Sequence, residues 1–253
     1  MPILSPRTAS TIHLLFEAAA YAIAFAIYTR LRRNDRSAAL THDQGLGIIL
    51  GAAVGALLGA KLLAWLEAPL DPAMLLRFDP LALQGKTIVG GILGGWIGVE
   101  IAKARLHIRR STGDAFAPAL VAGIAVGRIG CFLAGLRDGT YGTATDLPWG
   151  IDFGDGVRRH PTQLYEIAFL ILLGLALGRA RRISRPAGEL FLLFVAGYMA
   201  FRFAVENLKP RHTIVVGLSP IQIAALLGAG TAIGVLVRRR ALRAAVRPER
   251  AVA

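Results

Sequence analysis

The chain has 253 residues, 55% of them hydrophobic, and a mean hydropathy of +0.55. A water-soluble domain of this length is rarely so apolar. Its net charge of +13 comes mostly from arginines that flank apolar blocks, with no basic surface helix and no aromatic platform, so the partner implied is membrane lipid and not nucleic acid. The one cysteine, Cys131, excludes an intrachain disulfide.

The blocks predict an all-α polytopic membrane protein of about seven transmembrane helices, a single integral membrane domain over 1–253 with a small extracytoplasmic cap. The first span, 11–30, carries Glu17 and Tyr21. No small-residue cleavage site follows a short apolar core, so it reads as a retained helix. The second, 44–66, has Lys61 near its end. The third, 87–103, follows Lys86, and Glu100 interrupts it. Its Gly90, Gly91, Gly94, Gly95 and Gly98 have the spacing of close helix packing, not the context of a phosphate loop. Six spans plus a re-entrant segment is the alternative count.

The fourth span, 115–136, sets Arg128 among Gly123, Gly127, Gly130 and Gly135. The segment 137–162 is the one sizeable polar region. Asp155-Gly156 lies there between Trp149–Phe153 and Val157–Arg159, which predicts a hairpin over the membrane. The fifth span, 163–179, is flanked at its start by His160 and Glu166. The sixth, 187–207, holds Arg202 and Glu206 one helical turn apart, and the seventh is 217–237.

Cations fix the sides. Arg30, Arg32, Arg33 and Arg36 follow the first span. Lys103, Arg105, Arg109 and Arg110 follow the third, and Arg179, Arg181, Arg182 and Arg185 the fifth. The tail carries Arg238, Arg239, Arg240, Arg243, Arg247 and Arg250. The opposite side is sparser, with Arg7, Arg77, Arg137, Arg158, Arg159, Lys209 and Arg211. The alternation predicts an N-terminus outside, a C-terminus in the cytoplasm, and an odd number of spans.

With sides assigned, Glu17, Lys61, Lys86, Arg128, His160, Glu166, Arg202 and Glu206 all fall towards the outer face, and Glu100 alone lies towards the cytoplasm. Singly, a lysine snorkels to the headgroups, and an Arg–Glu pair one turn apart satisfies itself. Together the group suits another task. Mixed Arg, Lys, Glu and His side chains at the outer leaflet can hold a phosphate headgroup while its acyl tails stay in lipid.

Three stretches carry a family resemblance. They are Gly127-Arg128-Ile129-Gly130-Cys131-Phe132-Leu133, then Arg159-His160-Pro161-Thr162-Gln163-Leu164-Tyr165-Glu166, then Gly197-Tyr198-Met199-Ala200-Phe201-Arg202-Phe203-Ala204-Val205-Glu206. In this order they resemble the bacterial prolipoprotein diacylglyceryl transferases over nearly the whole chain. The resemblance implies transfer of the diacylglyceryl group of phosphatidylglycerol to the lipobox cysteine thiol of a preprolipoprotein. A thioether forms and glycerol 1-phosphate leaves, at the periplasmic side of the inner membrane, with no metal or organic cofactor.

On this resemblance Arg128, Arg202, Glu206 and His160 are the candidate catalytic residues. Arg128 with Gly127, Gly130, Tyr21, Lys61, Gln163, Tyr165 and Glu166 are the candidate substrate-binding residues. The sequence departs from the family at the His-Gly-Gly stretch of the third span, matched here to Leu93-Gly94-Gly95. Cys131, Ala134 and Leu136 replace two asparagines and an acid, for which Asp138 is a candidate substitute. Glu17, Glu206 and His160 are the candidate bases for the thiol, and Cys131 reads as a packing residue. Two alternatives keep the lipid: a paralogous transferase with a different acceptor, and a non-catalytic phospholipid-binding protein.

Overall fold

The computed structural model describes residues 3–34, 40–68, 85–183, 186–210, 213–214 and 216–246. Arg36, Arg77, Arg185, Arg211, Arg247 and Arg250, used above to assign sides, lie outside them. The chain is an all-α polytopic membrane protein. Among the described residues its helices are α1 (Pro6–Asn34), α2 (His42–Glu67), α3 (Ile88–Arg105), α4 (Phe116–Ala134), α5 (Thr162–Arg182), α6 (Glu189–Glu206) and α7 (Pro220–Val246). They fall on the seven expected segments. Five of them, α1, α2, α4, α5 and α7, are long and apolar enough to cross a membrane. The other two are 18 residues each, about 27 Å. They differ in charge: α3 carries Glu100, Lys103 and Arg105, and α6 carries Glu189, Arg202 and Glu206.

Burial differs from that of a soluble protein in two respects. Leu50, Val54, Leu57 and Leu58 on α2 and Ile171, Leu172 and Leu175 on α5 are exposed, while Arg128, Gln163, Glu166, Arg202 and Glu206 are buried. Apolar helix faces left exposed, and charged side chains withdrawn from them, are what lipid solvation produces.

The chain divides into two compact units, the first made of Met1–Ala38, Ser111–Phe194 and Ala204–Pro210. Here α1 runs antiparallel to α4. Tyr28 packs on Phe116 at one end, with ring centroids 4.4 Å apart. At the other end Phe16 fills the space beside Gly130, where an added Cβ would stand 2.4 Å from the Phe16 Cβ. Helix α5 packs along α4 through Val121 and Gly174. Asp114, just before α4, accepts hydrogen bonds from the backbone N–H groups of Gly188 and Phe191 at 2.6 and 3.1 Å, capping α6 with a carboxylate as its dipole favours.

The second unit is Ala39–Arg110, Val195–Phe203 and Arg211–Ala253. Its centre is the α2–α3 pair. Gly51, Gly55 and Gly59 oppose Gly98, Gly94 and Gly90 so closely that a Cβ added at Gly94 would lie 2.2 Å from the Gly55 carbonyl oxygen. Backbones meet with no side chain between them, the contact that small residues at every fourth position permit. Thr41 and Thr87 cap the N-termini of α2 and α3. Ser219 and Gln222 form a reciprocal box at the start of α7.

Candidate active site

In the first unit the site is built where α4 ends and α5 begins. Gly127 and Gly130 bracket Arg128 on α4. An added Cβ at Gly127 would meet only Ala20, at 3.9 Å, so that position has room, whereas Gly130 is taken up by Phe16. Arg128 is buried, and its Nε lies 2.8 Å from Glu166 Oε2 of α5, close enough for an ion pair although the N–H is not aligned on that oxygen. The Gly-Arg motif and the end of the His-Pro-Thr-Gln-Leu-Tyr-Glu stretch therefore meet as charge against charge. Arg128 also donates to Cys131 Sγ at 3.8 Å, one turn further along α4.

Beyond α4 the chain turns sharply. Gly135 and Gly139 hold φ angles of +66° and +68°, which glycine adopts without strain, and between them a 3-10 turn carries Asp138 back to α1. There Asp138 Oδ1 meets His13 Nδ1 at 2.8 Å. The Thr140 hydroxyl donates to Asp138 Oδ2. Gln163 Nε2 donates in turn to the Thr140 hydroxyl at 3.2 Å, and the Thr162 hydroxyl to the Thr140 carbonyl at 2.7 Å. Gln163 is thus fixed through its amide N–H, and its buried Oε1 has no hydrogen-bond partner among the described residues. On α1, Tyr21 is exposed and donates to Glu17 at 3.1 Å.

The 137–162 segment contains the expected hairpin. Ile151–Asp152 pairs antiparallel with Arg158–Arg159. Asp152 closes the turn by accepting from the backbones of Gly154 and Gly156 at 2.7 and 3.1 Å. Fully buried Phe153 stacks on Tyr141 and meets Phe132 of α4 edge-on, which fastens the hairpin to the helices. Arg159 lies over the Tyr141 ring and grips Asp155 with two hydrogen bonds of 2.7 Å, and this pairing holds the Asp155 carboxyl down at about 2. His160 belongs to this assembly: its backbone pairs with Gly142 and Thr143, and its Nδ1 lies 3.2 Å from the Tyr165 hydroxyl. Tyr165 also accepts from Trp149 Nε1 at 2.9 Å. His160 and Tyr165 therefore tie the hairpin to the start of α5.

Arg202 and Lys61 belong to the second unit. Arg202 is buried on α6, and Lys61 donates to the Gly85 carbonyl at 2.9 Å. Glu206, buried one turn beyond Arg202 on the same helix, belongs to the first unit.

The prolipoprotein diacylglyceryl transferase family model matches residues 10–238, from before His13 to beyond Glu206. The chain belongs to that family. Its similarity to a phosphatidylglycerol–prolipoprotein diacylglyceryl transferase of Geobacter sulfurreducens is 35% identity over 240 residues, 85% of this chain and 87% of the relative. One from Dehalococcoides mccartyi is 30% identical over 223 residues, covering 82% and 81%. One from Cupriavidus necator is 38% identical over 172 residues, covering 64% and 58%. No solved structure matches the chain significantly.

Within this family member, α3 offers two places for the missing His-Gly-Gly stretch. Leu93-Gly94-Gly95 is one, and Val89-Gly90-Gly91, one turn nearer the start of the helix, is the other. Neither contains a histidine. The residue that sequence reasoning passed over is His13. Its trace was the His13–Glu17 pair at i,i+4, whose ring Nε2 and carboxylate lie 3.7 Å apart. His13, Cys131 and Asp138 each offer one atom within 4.8 Å of the others, a spacing also compatible with a metal ion.

Proposed function

We propose that this chain transfers the diacylglyceryl group of phosphatidylglycerol to the lipobox cysteine thiol of a preprolipoprotein and releases glycerol 1-phosphate. The observation that carries the reading is a buried arginine on a Gly-Arg motif, Arg128, held against Glu166 at the end of the family's most specific stretch. A guanidinium away from bulk water, steadied by a carboxylate, is suited to take the charge of a phosphate ester and more charge as that ester leaves.

The chemistry divides among the residues. Arg128 binds the phosphate, and Arg202 and Glu206, one turn apart on α6, are assigned catalytic roles on the motif that they share with the family. Gly127 leaves space for the lipid beside Arg128, and the buried Gln163 Oε1 offers an acceptor to a glycerol hydroxyl. The thiolate sulfur attacks the glyceryl carbon, the carbon–oxygen bond to phosphate breaks, and its electron pair leaves with glycerol phosphate. Tyr21 and Lys61 meet the headgroup region, and His160, Tyr165 and Glu166 hold the hairpin and Arg128 in place. Helices α3 and α6 cross the inner membrane with the other five, the N-terminus is outside, and the site faces the periplasm.

The histidine-free α3 supports one rival, a paralogue that keeps the lipid donor and changes the acceptor. Complementation decides between them. Expression of this chain in a strain depleted of its own transferase is expected to restore growth and lipoprotein maturation. No rescue despite full membrane expression would rule out the lipobox acceptor.

A further inference from the structure

The proposed reaction consumes a thiolate, so something must take the thiol's proton. We propose that His13 is the catalytic base, positioned by Asp138. This rests on the transferase reading above and names a residue for its proton-transfer step.

The geometry is that of a base with its orienter. His13 has 34% of its side chain exposed and Asp138 only 4%, so the imidazole is reachable while the carboxylate is not. At 2.8 Å the carboxylate takes the hydrogen of Nδ1–H, which leaves Nε2 as the proton acceptor. Nε2 stands 3.7 Å from Glu17, too far for a hydrogen bond, so it is not tied up by that carboxylate. Asp138 is itself anchored by Thr140, and Thr140 by Gln163 and Thr162. The Thr-Gln part of the specific stretch therefore leads, through Thr140, to the orienting carboxylate.

The position is right as well. Cys131 bridges the dyad to Arg128: its sulfur lies within 4.8 Å of both members and 3.8 Å from an Arg128 nitrogen. The base and the phosphate-binding arginine thus flank one small side chain in the same compact unit. A metal ion fits these residues less well. A guanidinium sits against the sulfur, and both Asp138 oxygens already have partners. In the step itself the thiol's proton passes to His13 Nε2. The sulfur bonds the glyceryl carbon as the carbon–oxygen bond to phosphate breaks, and the proton leaves His13 for the released glycerol phosphate or for water.

The test is lipidation of a fluorescent lipobox peptide by the full chain in phosphatidylglycerol vesicles, from pH 7 to 9. The charged and titratable groups facing His13 are Glu17 on its own helix and Asp138 and Cys131 directly, with Arg128 behind Cys131. His13→Gln is expected to lower kcat at pH 7 by about 10²–10⁴-fold, with the KM for phosphatidylglycerol little changed. The deficit should shrink by about tenfold per pH unit up to ~8.5, where the peptide thiol ionises unaided. Asp138→Asn preserves the shape of the orienter and should show a smaller deficit with the same alkaline recovery, so it serves if His13→Gln fails to fold. Wild-type rates in both variants, or a deficit that stays flat from pH 7 to 9, would overturn the assignment. Loss of wild-type activity to a chelator with recovery on adding zinc would also overturn it, in favour of a metal site. A wild-type protein that lipidates nothing defeats the transferase reading and this assignment together. An active wild type beside an unaffected His13→Gln defeats the assignment alone.

Discussion

Arg128 serves both the fold and the proposed chemistry, and this changes what its removal should do. Its partner Glu166 is 1% exposed. Truncating one member of a buried ion pair leaves the other charge without compensation, which costs about 3–5 kcal/mol. Arg128→Ala should therefore lose stability along with activity, and its inactivity alone says little about phosphate binding. Arg128→Lys separates the two. It keeps a cation for Glu166 but loses the planar fork that matches a phosphate. The expected result is a melting temperature within a few degrees of wild type in detergent and kcat lower by about 10²-fold or more. The stretches that carry Arg128 and Arg202 were legible in the sequence. The pairing of Arg128 with Glu166 was not, because it depends on α4 and α5 packing side by side. His13 was less legible still. A lone histidine near the start of an apolar helix looks like many others until a glycine-bracketed turn brings Asp138 to it.

The helices themselves were legible because blocks of about twenty apolar residues allow little else in a membrane. The two that depart from this standard, α3 and α6, do so by carrying charge, and α6 carries residues of the proposed site. The glycine spacing of α3 signalled close packing, but not which glycines bear it. That depended on a second stripe, Gly51, Gly55 and Gly59, on α2. A contrast follows from the geometry. At Gly94 a methyl group would meet a carbonyl oxygen at 2.2 Å, while at Gly95 its nearest neighbour is 3.4 Å away. Gly94→Ala should force the helices apart and destabilise by about 1–3 kcal/mol. Gly95→Ala should be neutral or gain up to ~1 kcal/mol from helix propensity. Thermal unfolding of the two variants in detergent, followed by helical circular dichroism, checks the difference. Equal melting temperatures would mean that the backbone contact between α2 and α3 contributes little.

At the scale of the whole molecule, exposed leucines and isoleucines on the helices and buried Arg128, Glu166, Arg202 and Glu206 suit a lipid with apolar tails and a charged head. Family membership joins these features to diacylglyceryl transfer from phosphatidylglycerol to prolipoprotein. Composition made the membrane class readable from sequence. The long-range contacts that join α1, the turn after α4 and the start of α5 around Cys131 were not, because each residue's partner lies on a different helix or turn. The central claim is that one phosphatidylglycerol is consumed for each thiol modified. The most direct measurement incubates the purified chain in vesicles with headgroup-labelled phosphatidylglycerol and a lipobox peptide, and counts labelled glycerol phosphate released against peptide that gains a diacylglyceryl thioether. The account predicts a one-to-one yield that vanishes when the peptide's cysteine is replaced by serine. Binding of phosphatidylglycerol with no release of glycerol phosphate, or release that ignores the peptide thiol, would contradict it.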